Sequence, residues 1–291
     1  MGDRARGRRR HPVLVVVHGG PASSSIPFNP QLRDWEAHFI VVQWDQRGAG
    51  VTYLRHGADD RLTVDRLVAD GQDLLAWTAS RFSQCPVVLL GSSVGSVVAT
   101  RMADRSPDLV DGLVLANALG PGARAESWRL TRDALLARGR TKDVATLDGV
   151  GPDPAGWFPE QAETVSKLAI EANPAVPHMI YDLMLPALMY CPDYSLSDLR
   201  ALEASMALAR DRLYPELCDP DLCDAALVMP VLVVQGEGDL VNPVPSARRL
   251  AESLDAQLVT VPDVGHLVEL AQPRAVLDAL LAFRSSSPNR G

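Results

Sequence analysis

VVLLGSSVGSVVATRM, residues 87–102, decides how the rest of the chain is read. An apolar run stops at a cluster of glycines and serines and resumes with helical character, so a strand, a tight turn and a helix follow one another directly. The turn fits G-x-S-x-G over Gly91, Ser93 and Gly95. A nucleophilic serine at such an elbow adopts a strained backbone, and its close neighbours must be nearly bare of side chain. The helix beyond points its free backbone N–H groups and positive dipole end toward Ser93.

Working outward, short Val-, Leu- and Ile-rich runs recur at 13–17, 39–44, 86–90, 112–116, 230–235 and 257–261. Most lack the alternation of a half-exposed antiparallel strand and read as buried parallel strands. Helical patterns separate them. Val64, Leu67, Val68, Leu74, Leu75 and Phe82 share a face after a cap at Thr63, and Val276, Leu277, Leu280 and Leu281 do so after Pro273. The fold class is therefore α/β, a mostly parallel doubly wound sheet. Residues 121–226 hold no convincing strand but carry helical patterns around 125–139, 157–172, 176–189 and 196–213, which makes them a helical insertion in the core. The turn-rich boundaries are Gly120-Pro121-Gly122 and Cys218 to Cys223. The expected division is a basic flexible tail at 1–11, a core at 12–120 and 227–284, the insertion at 121–226, and a second flexible tail at 285–291.

In a parallel sheet the functional groups gather at the carboxyl ends of the strands. A serine hydroxyl is a poor nucleophile until a base takes its proton, and the base needs a carboxylate to fix its tautomer. Asp239, in Gly236-Glu237-Gly238-Asp239 after the fifth run, and His266 after the sixth occupy those places. Glu237 and Asp263 are weaker alternatives for the acid. Glu237 lies close to the strand end, and Asp263 is near enough to His266 to shape its loop. The oxyanion of a tetrahedral intermediate needs two donors, and the backbone N–H groups of Gly20 and Val94 are placed to supply them. His18 reads as a hydrogen-bonding residue of that turn, and Asp45 and Arg47 as braces of the loop after the second run.

Composition bounds the partners. The chain has 291 residues, a net charge of −8 and 47% hydrophobic content, enough for a large core and ill matched to the phosphates of a nucleic acid. No apolar stretch approaches the roughly 20 residues of a membrane helix. The start, MGDRARGRRR, lacks the apolar core of a secretory signal, so a cytoplasmic location is expected. The four cysteines show neither C-x-x-C nor zinc spacing and read as buried thiols, with Cys218 and Cys223 able to pair only under oxidising conditions. Neither G-x-G-x-x-G after the first strand nor a phosphate-binding G-x-x-x-x-G-K-[ST] is present, which argues against a nucleotide-dependent oxidoreductase. No cofactor and no metal are implied; the expected partner is a small-molecule substrate.

HGGP at 18–21, WDQRGAG at 44–50, the elbow at 91–96, GEGD at 236–239 and GH at 265–266 together resemble the α/β-hydrolase fold, and within it the proline iminopeptidase-like branch. Ser93, Asp239 and His266 follow in that family's chain order. The resemblance implies that the insertion is a helical cap that covers the site and selects substrates. It departs in three ways. Such proteins carry an antiparallel pair of strands before the HGGP strand, which here begins almost at once: either the first two strands are lacking or the true start lies upstream. If they are lacking, the strand at 39–44 is an exposed edge, to be covered by homo-oligomeric association or by the tail. Ser92 and Val94 stand where the iminopeptidases have Gly and Trp. The W-x-x-W-E pattern associated with binding a substrate's free amine is absent, leaving Glu160, Glu163, Glu171 and Glu203 as the cap's glutamates of interest.

The leading expectation is a serine hydrolase that opens an ester, lactone or amide through a Ser93 acyl-enzyme. Release of N-terminal proline is the alternative, and a lyase-type or binding protein on the same scaffold a third. Trp128, Trp157, Phe158, Met184, Met189 and Tyr190 are candidates to line an apolar acyl or leaving-group pocket, with ordinary cap core an equal alternative for each.

Overall fold

Each of the six apolar runs forms a strand in the computed structural model, which describes residues 11–20, 23–57, 62–192, 195–218 and 225–286. β1 (Val13–Val17) leads through the short helix α1 (Asn29–Leu32) to β2 (Ile40–Gln43), α2 (Gly50–His56) and the long α3 (Val64–Arg81). β3 (Val87–Ser92), α4 (Gly95–Arg105) and β4 (Gly112–Ala116) follow. Among the described residues, five α-helices then pass without an intervening strand: α5 (Ala123–Ala137), α6 (Thr141–Val150), α7 (Pro159–Ala172), α8 (Leu185–Tyr190) and α9 (Leu196–Leu213). The chain returns through β5 (Val231–Gly236), α10 (Val244–Ser253), β6 (Gln257–Val261), α11 (Val268–Ala271) and α12 (Pro273–Ser286).

All five strand pairings are parallel, and the sheet order is β2-β1-β3-β4-β5-β6. The runs do not alternate in hydrophobicity because both faces are covered. Val13, Val15, Leu89, Leu113 and Val233 face one layer with α3, α4 and α10; Leu14, Leu90, Val114, Leu232 and Val234 face the other with Trp35, Phe39 and α12. Thr63 caps α3 as expected, accepting a hydrogen bond from the Arg66 N–H at 3.1 Å. Among the described residues β2 lies at an edge of the sheet, with its four residues half-buried.

The cap has a core of its own, built from Leu135, Val144, Leu147, Trp157, Val165 and Tyr214. Two of its features differ from the sequence pattern. α6 is a helix that the periodicity does not announce, because only Val144 and Leu147 of its residues are buried. The pattern at 176–189 is realised as a π-helical stretch, Met179–Met184, running into α8. Pro186 explains the wide turn: it has no N–H for the Asp182 carbonyl, and its ring would crowd that carbonyl in an ordinary α-helix.

At the C-terminal end α12 continues through Ser286, so Ser285 and Ser286 are helical where a tail was expected. Residues 1–10 and 287–291, Pro21 of the HGGP turn, and Cys223 lie outside the described residues. Cys85 and Cys191 are free thiols. No helix among the described residues is long and apolar enough to cross a membrane.

Candidate active site

Ser93 sits between β3 and α4 with φ 52°, a left-handed conformation that costs a serine on the order of 1–3 kcal/mol and persists only where the surroundings impose it. They do so through hydrogen bonds and close packing. The Ser93 N–H donates to the Ala116 carbonyl at 2.9 Å, and the Ser96 hydroxyl donates to the Ser93 carbonyl at 2.6 Å. A Cβ on Gly91 would lie 2.7 Å from both the Ala99 Cβ and the Gly95 carbonyl oxygen, and one on Gly95 would run into the Val17 and His18 carbonyls. Both glycines are thus required by the close approach of β1, β3 and α4.

The His266 Nε2 lies 3.0 Å from the Ser93 Oγ, and its Nδ1 lies 2.8 Å from Asp239 Oδ2. An ionised carboxylate can only accept, so Nδ1 carries the proton and Nε2 is free to take one from Ser93. All three residues are buried. Burial alone would lower the proton affinity of His266, but the charge and hydrogen bond of Asp239, with a further contribution from Glu269, outweigh it and hold the imidazole above its ordinary pKa. Asp239 in turn accepts from Asn117 Nδ2 at 2.7 Å, Gln235 Nε2 at 2.9 Å and the N–H groups of Val241 and Asn242 at 2.8 and 3.0 Å.

The rival acids point elsewhere. Glu237 is exposed and accepts from the Thr260 hydroxyl at 2.9 Å. Asp263 is exposed, with φ 58° in the turn leading to His266. His18 has the bracing role expected of it. Its Nε2 accepts from the Gln46 N–H at 3.1 Å, which leaves Nδ1 to donate to the Gly19 carbonyl at 3.0 Å, and burial pushes its pKa down. Gly19 is pressed so closely on Ser93 that a Cβ there would lie 2.9 Å from the Ser93 Cβ. Gly20 follows with φ 132°, a conformation open to glycine. Val94 opens α4, where the first N–H groups have no partner within the helix. Asp45 braces its loop by accepting from the Ser24 hydroxyl and, at 2.8 Å, from the Val51 N–H. A bidentate pair of Arg47 with Asp70 at 2.8 and 2.9 Å ties the loop to α3.

Of the candidate cap contacts, two take the cap-core alternative. Trp128 and Trp157 donate their indole N–H groups to the Leu147 and Gly151 carbonyls, both at 3.0 Å, and so belong to the cap's own core, as buried indoles needing an acceptor do. Phe158, Met189 and Tyr190 are exposed. Met184 packs with Phe28, Leu267 and Leu270, beside the His266 loop. The cap reaches the site through the segment after α7. Asn173 Nδ2 donates to the Gly238 carbonyl at 3.1 Å, and a Cβ on Gly265 would lie 3.0 Å from Val176 Cγ2. A cavity of about 20 Å³ against Asp239 and His266 is bounded on the cap side by Ile170, Asn173, Val176, Pro177 and Met179. Ile170, Asn173 and Val176 also line an outer recess of about 370 Å³.

Sequence reasoning missed Asn117, although it directly follows the fourth apolar run, at the kind of position where the other strands carry their functional groups. It also missed Glu269 and the 173–177 segment. The first carried a positional signal; the other two carried none.

A model described as the alpha/beta hydrolase family matches residues 14–279. The probable aminopeptidase YbaC of Bacillus subtilis (strain 168) is 32% identical over 101 residues, 34% of this chain and 32% of that protein, so the match spans about a third of the relative. A probable proline iminopeptidase of Leptolyngbya boryana is 26% identical over 305 aligned positions, covering 95% of this chain and 88% of the relative. Among solved structures, a thermophilic esterase from Thermogutta terrifontis superposes with a TM-score of 0.59 at 20% identity, covering 95% of this chain and 90% of that one, a likeness of fold.

Proposed function

Because the chain belongs to the alpha/beta hydrolase family, we propose that it is a cofactor-independent serine hydrolase that opens a small-molecule ester, lactone or amide through a Ser93 acyl-enzyme. The observation that carries this reading is the unbroken line from Ser93 Oγ to His266 Nε2 at 3.0 Å and from His266 Nδ1 to Asp239 Oδ2 at 2.8 Å. Ser93 attacks the acyl carbon as its proton passes to His266 Nε2. The imidazolium forms against Asp239, and the oxyanion is held by the N–H groups of Gly20 and Val94. His266 then protonates the leaving group. Water, deprotonated by His266, attacks the acyl-enzyme, and Ser93 recovers its proton as the acid departs.

A prolyl aminopeptidase is the second reading, favoured by the names of the two relatives. It needs a carboxylate for the substrate's free amine, and the cap glutamates are poorly disposed to provide one. Glu163 is bound to Lys167 at 2.6 Å and Arg210 at 2.7 Å, Glu171 to Arg140 at 3.1 Å, and Glu160 and Glu203 are exposed. Acyl compounds without an amine requirement therefore rank first.

Labelling with a fluorophosphonate probe tests the mechanism: wild type labels and Ser93→Ala does not. Absence of label on wild type, or equal label on the variant, sinks it and leaves the lyase-type or binding reading. Turnover of aryl esters, lactones and proline arylamides by the same protein then orders the substrates, and preference for proline arylamide would put the prolyl aminopeptidase first.

A further inference from the structure

One buried carboxyl takes no part in these acyl-transfer steps. Glu269 lies on α11, the helical turn that follows His266, and is only 7% exposed. Its Oε1 accepts from the hydroxyl of Ser92, the residue immediately before the nucleophile, while its Oε2 is buried without a hydrogen-bond partner among the described residues. The placement is rigid. Leu267, between His266 and α11, is held at φ 65°, and the Val268 N–H donates at 2.7 Å to Asn117 Oδ1, the other end of the amide that donates to Asp239. One asparagine therefore fixes both Asp239 and the helix that carries Glu269.

A buried carboxyl is costly to ionise unless something nearby favours the charge. Burial holds the pKa of Glu269 above its ordinary value; the Ser92 hydroxyl, its own backbone N–H and His266 pull it down without cancelling the rise, and Asp239 adds to it. β5 and α12, which pack on α11, bring no other charged group to bear on it among the described residues. Asp239, His266 and Glu269 thus form a buried set of two carboxyls and one imidazole.

We propose that Glu269, held behind the nucleophile by Ser92, is a positioning residue for His266: a second carboxylate, besides Asp239, against which the imidazolium forms. This deepens the proposed mechanism and rests on it for its catalytic meaning. It gives Ser92 a purpose, since the hydroxyl donates to Glu269 and favours its ionised form. Asp239 orients the imidazole through a hydrogen bond; Glu269 acts on its charge through space.

The test is a pH titration of the His266 imidazole, followed by the nitrogen chemical shifts of its ring in the full chain, for wild type, Glu269→Gln and Ser92→Ala. Glu269→Gln keeps the shape and removes the charge, and the His266 midpoint is expected to fall by about one pH unit. Ser92→Ala leaves the carboxyl but makes it harder to ionise, so the midpoint falls by less. In kcat/KM against pH the acidic limb moves down with the midpoint while the plateau drops. An unchanged His266 midpoint in Glu269→Gln, whatever happens to its melting temperature, overturns the proposal. Should that variant not fold, the midpoint in Ser92→Ala decides, a fall supporting and no change overturning. The titration reads the imidazole itself, so it separates failure of this inference from failure of the hydrolase reading, which the probe labelling of Ser93 reports.

Discussion

At the scale of the residue, Asp239 is held by five donors, and three of them are side chains: His266, Asn117 and Gln235. Asn117 is the most connected of these. Besides its amide contacts, its own N–H donates to the Val234 carbonyl at 3.0 Å, and its carbonyl accepts from Asn242 Nδ2 at 2.7 Å. It sits at φ 46°, a conformation asparagine tolerates better than most residues. Asn117→Ala leaves the Val268 N–H unpaired and is expected to cost about 1–3 kcal/mol in urea unfolding. It is also expected to lower kcat with little change in KM, because it disturbs the orientation of the acid and not the binding of substrate. Asn117→Asp should be worse, placing a second carboxylate directly against Asp239; wild-type turnover in that variant would contradict the role assigned to the amide. The bonds of Asn117 could not be read from the sequence, because residues 117, 234, 239, 242 and 268 meet only when three strands, β4, β5 and β6, are laid side by side.

At the scale of the element, the segment between α7 and the π-helical stretch is the cap's hold on the catalytic loops. Val176 rests where a Cβ on Gly238 would lie 2.5 Å from its Cγ1, so the acid loop accepts the cap only because Gly238 has no side chain. Gly238→Ala is expected to push the loop and Asp239 out of line and to lower kcat/KM by up to about a hundredfold, the scale of a 1 Å misplacement near the chemistry. Removing the obstructing methyls with Val176→Ala in the same chain should restore most of the activity. If the double variant is no better than Gly238→Ala alone, the contact with Val176 is not what makes the glycine necessary. The strands, the elbow and the Thr63 cap were legible because hydrophobic period and cap chemistry are local. The π-helical stretch was not, since its wide turn is forced by a proline that ordinary periodicity reads as a helix start.

At the scale of the whole molecule, stability depends on pH through buried histidines. His18 joins the turn after β1 to the loop after β2, with its ring accepting from the Gln46 N–H. Its folded pKa is lowered from 6.5, chiefly by burial. The unfolded chain therefore binds a proton that the folded chain refuses, and folding stability falls as pH drops below the unfolded value and levels off only below the folded one. His266, with its pKa raised, acts in the opposite sense: its contribution is present below 6.5 and is lost as pH rises through the folded value. The decline in melting temperature between about pH 7 and pH 5 is thus expected to be shallower in His18→Gln than in wild type. An identical slope in the two proteins would mean that His18 titrates freely.

The sequence by itself determined the parallel α/β sheet, its six strands, the helical character of the cap though not α6 or the π-helical stretch, and the choice of Ser93, Asp239 and His266 as candidates. These follow from patterns a few residues long: apolar runs without alternation, a turn that only glycines can flank, and chemistry-bearing residues just past strand ends. Tertiary structure alone decided that Arg47 pairs with Asp70, that Trp128 and Trp157 serve the cap's interior, that Asn173 and Val176 meet the acid and histidine loops, and that Glu269 lies behind the nucleophile on Ser92. Apart from that of Trp157 with Gly151, six residues away, each of those contacts joins residues distant in the chain. Their energies come from burial and hydrogen-bond geometry that exist only once the sheet and cap have closed around the site.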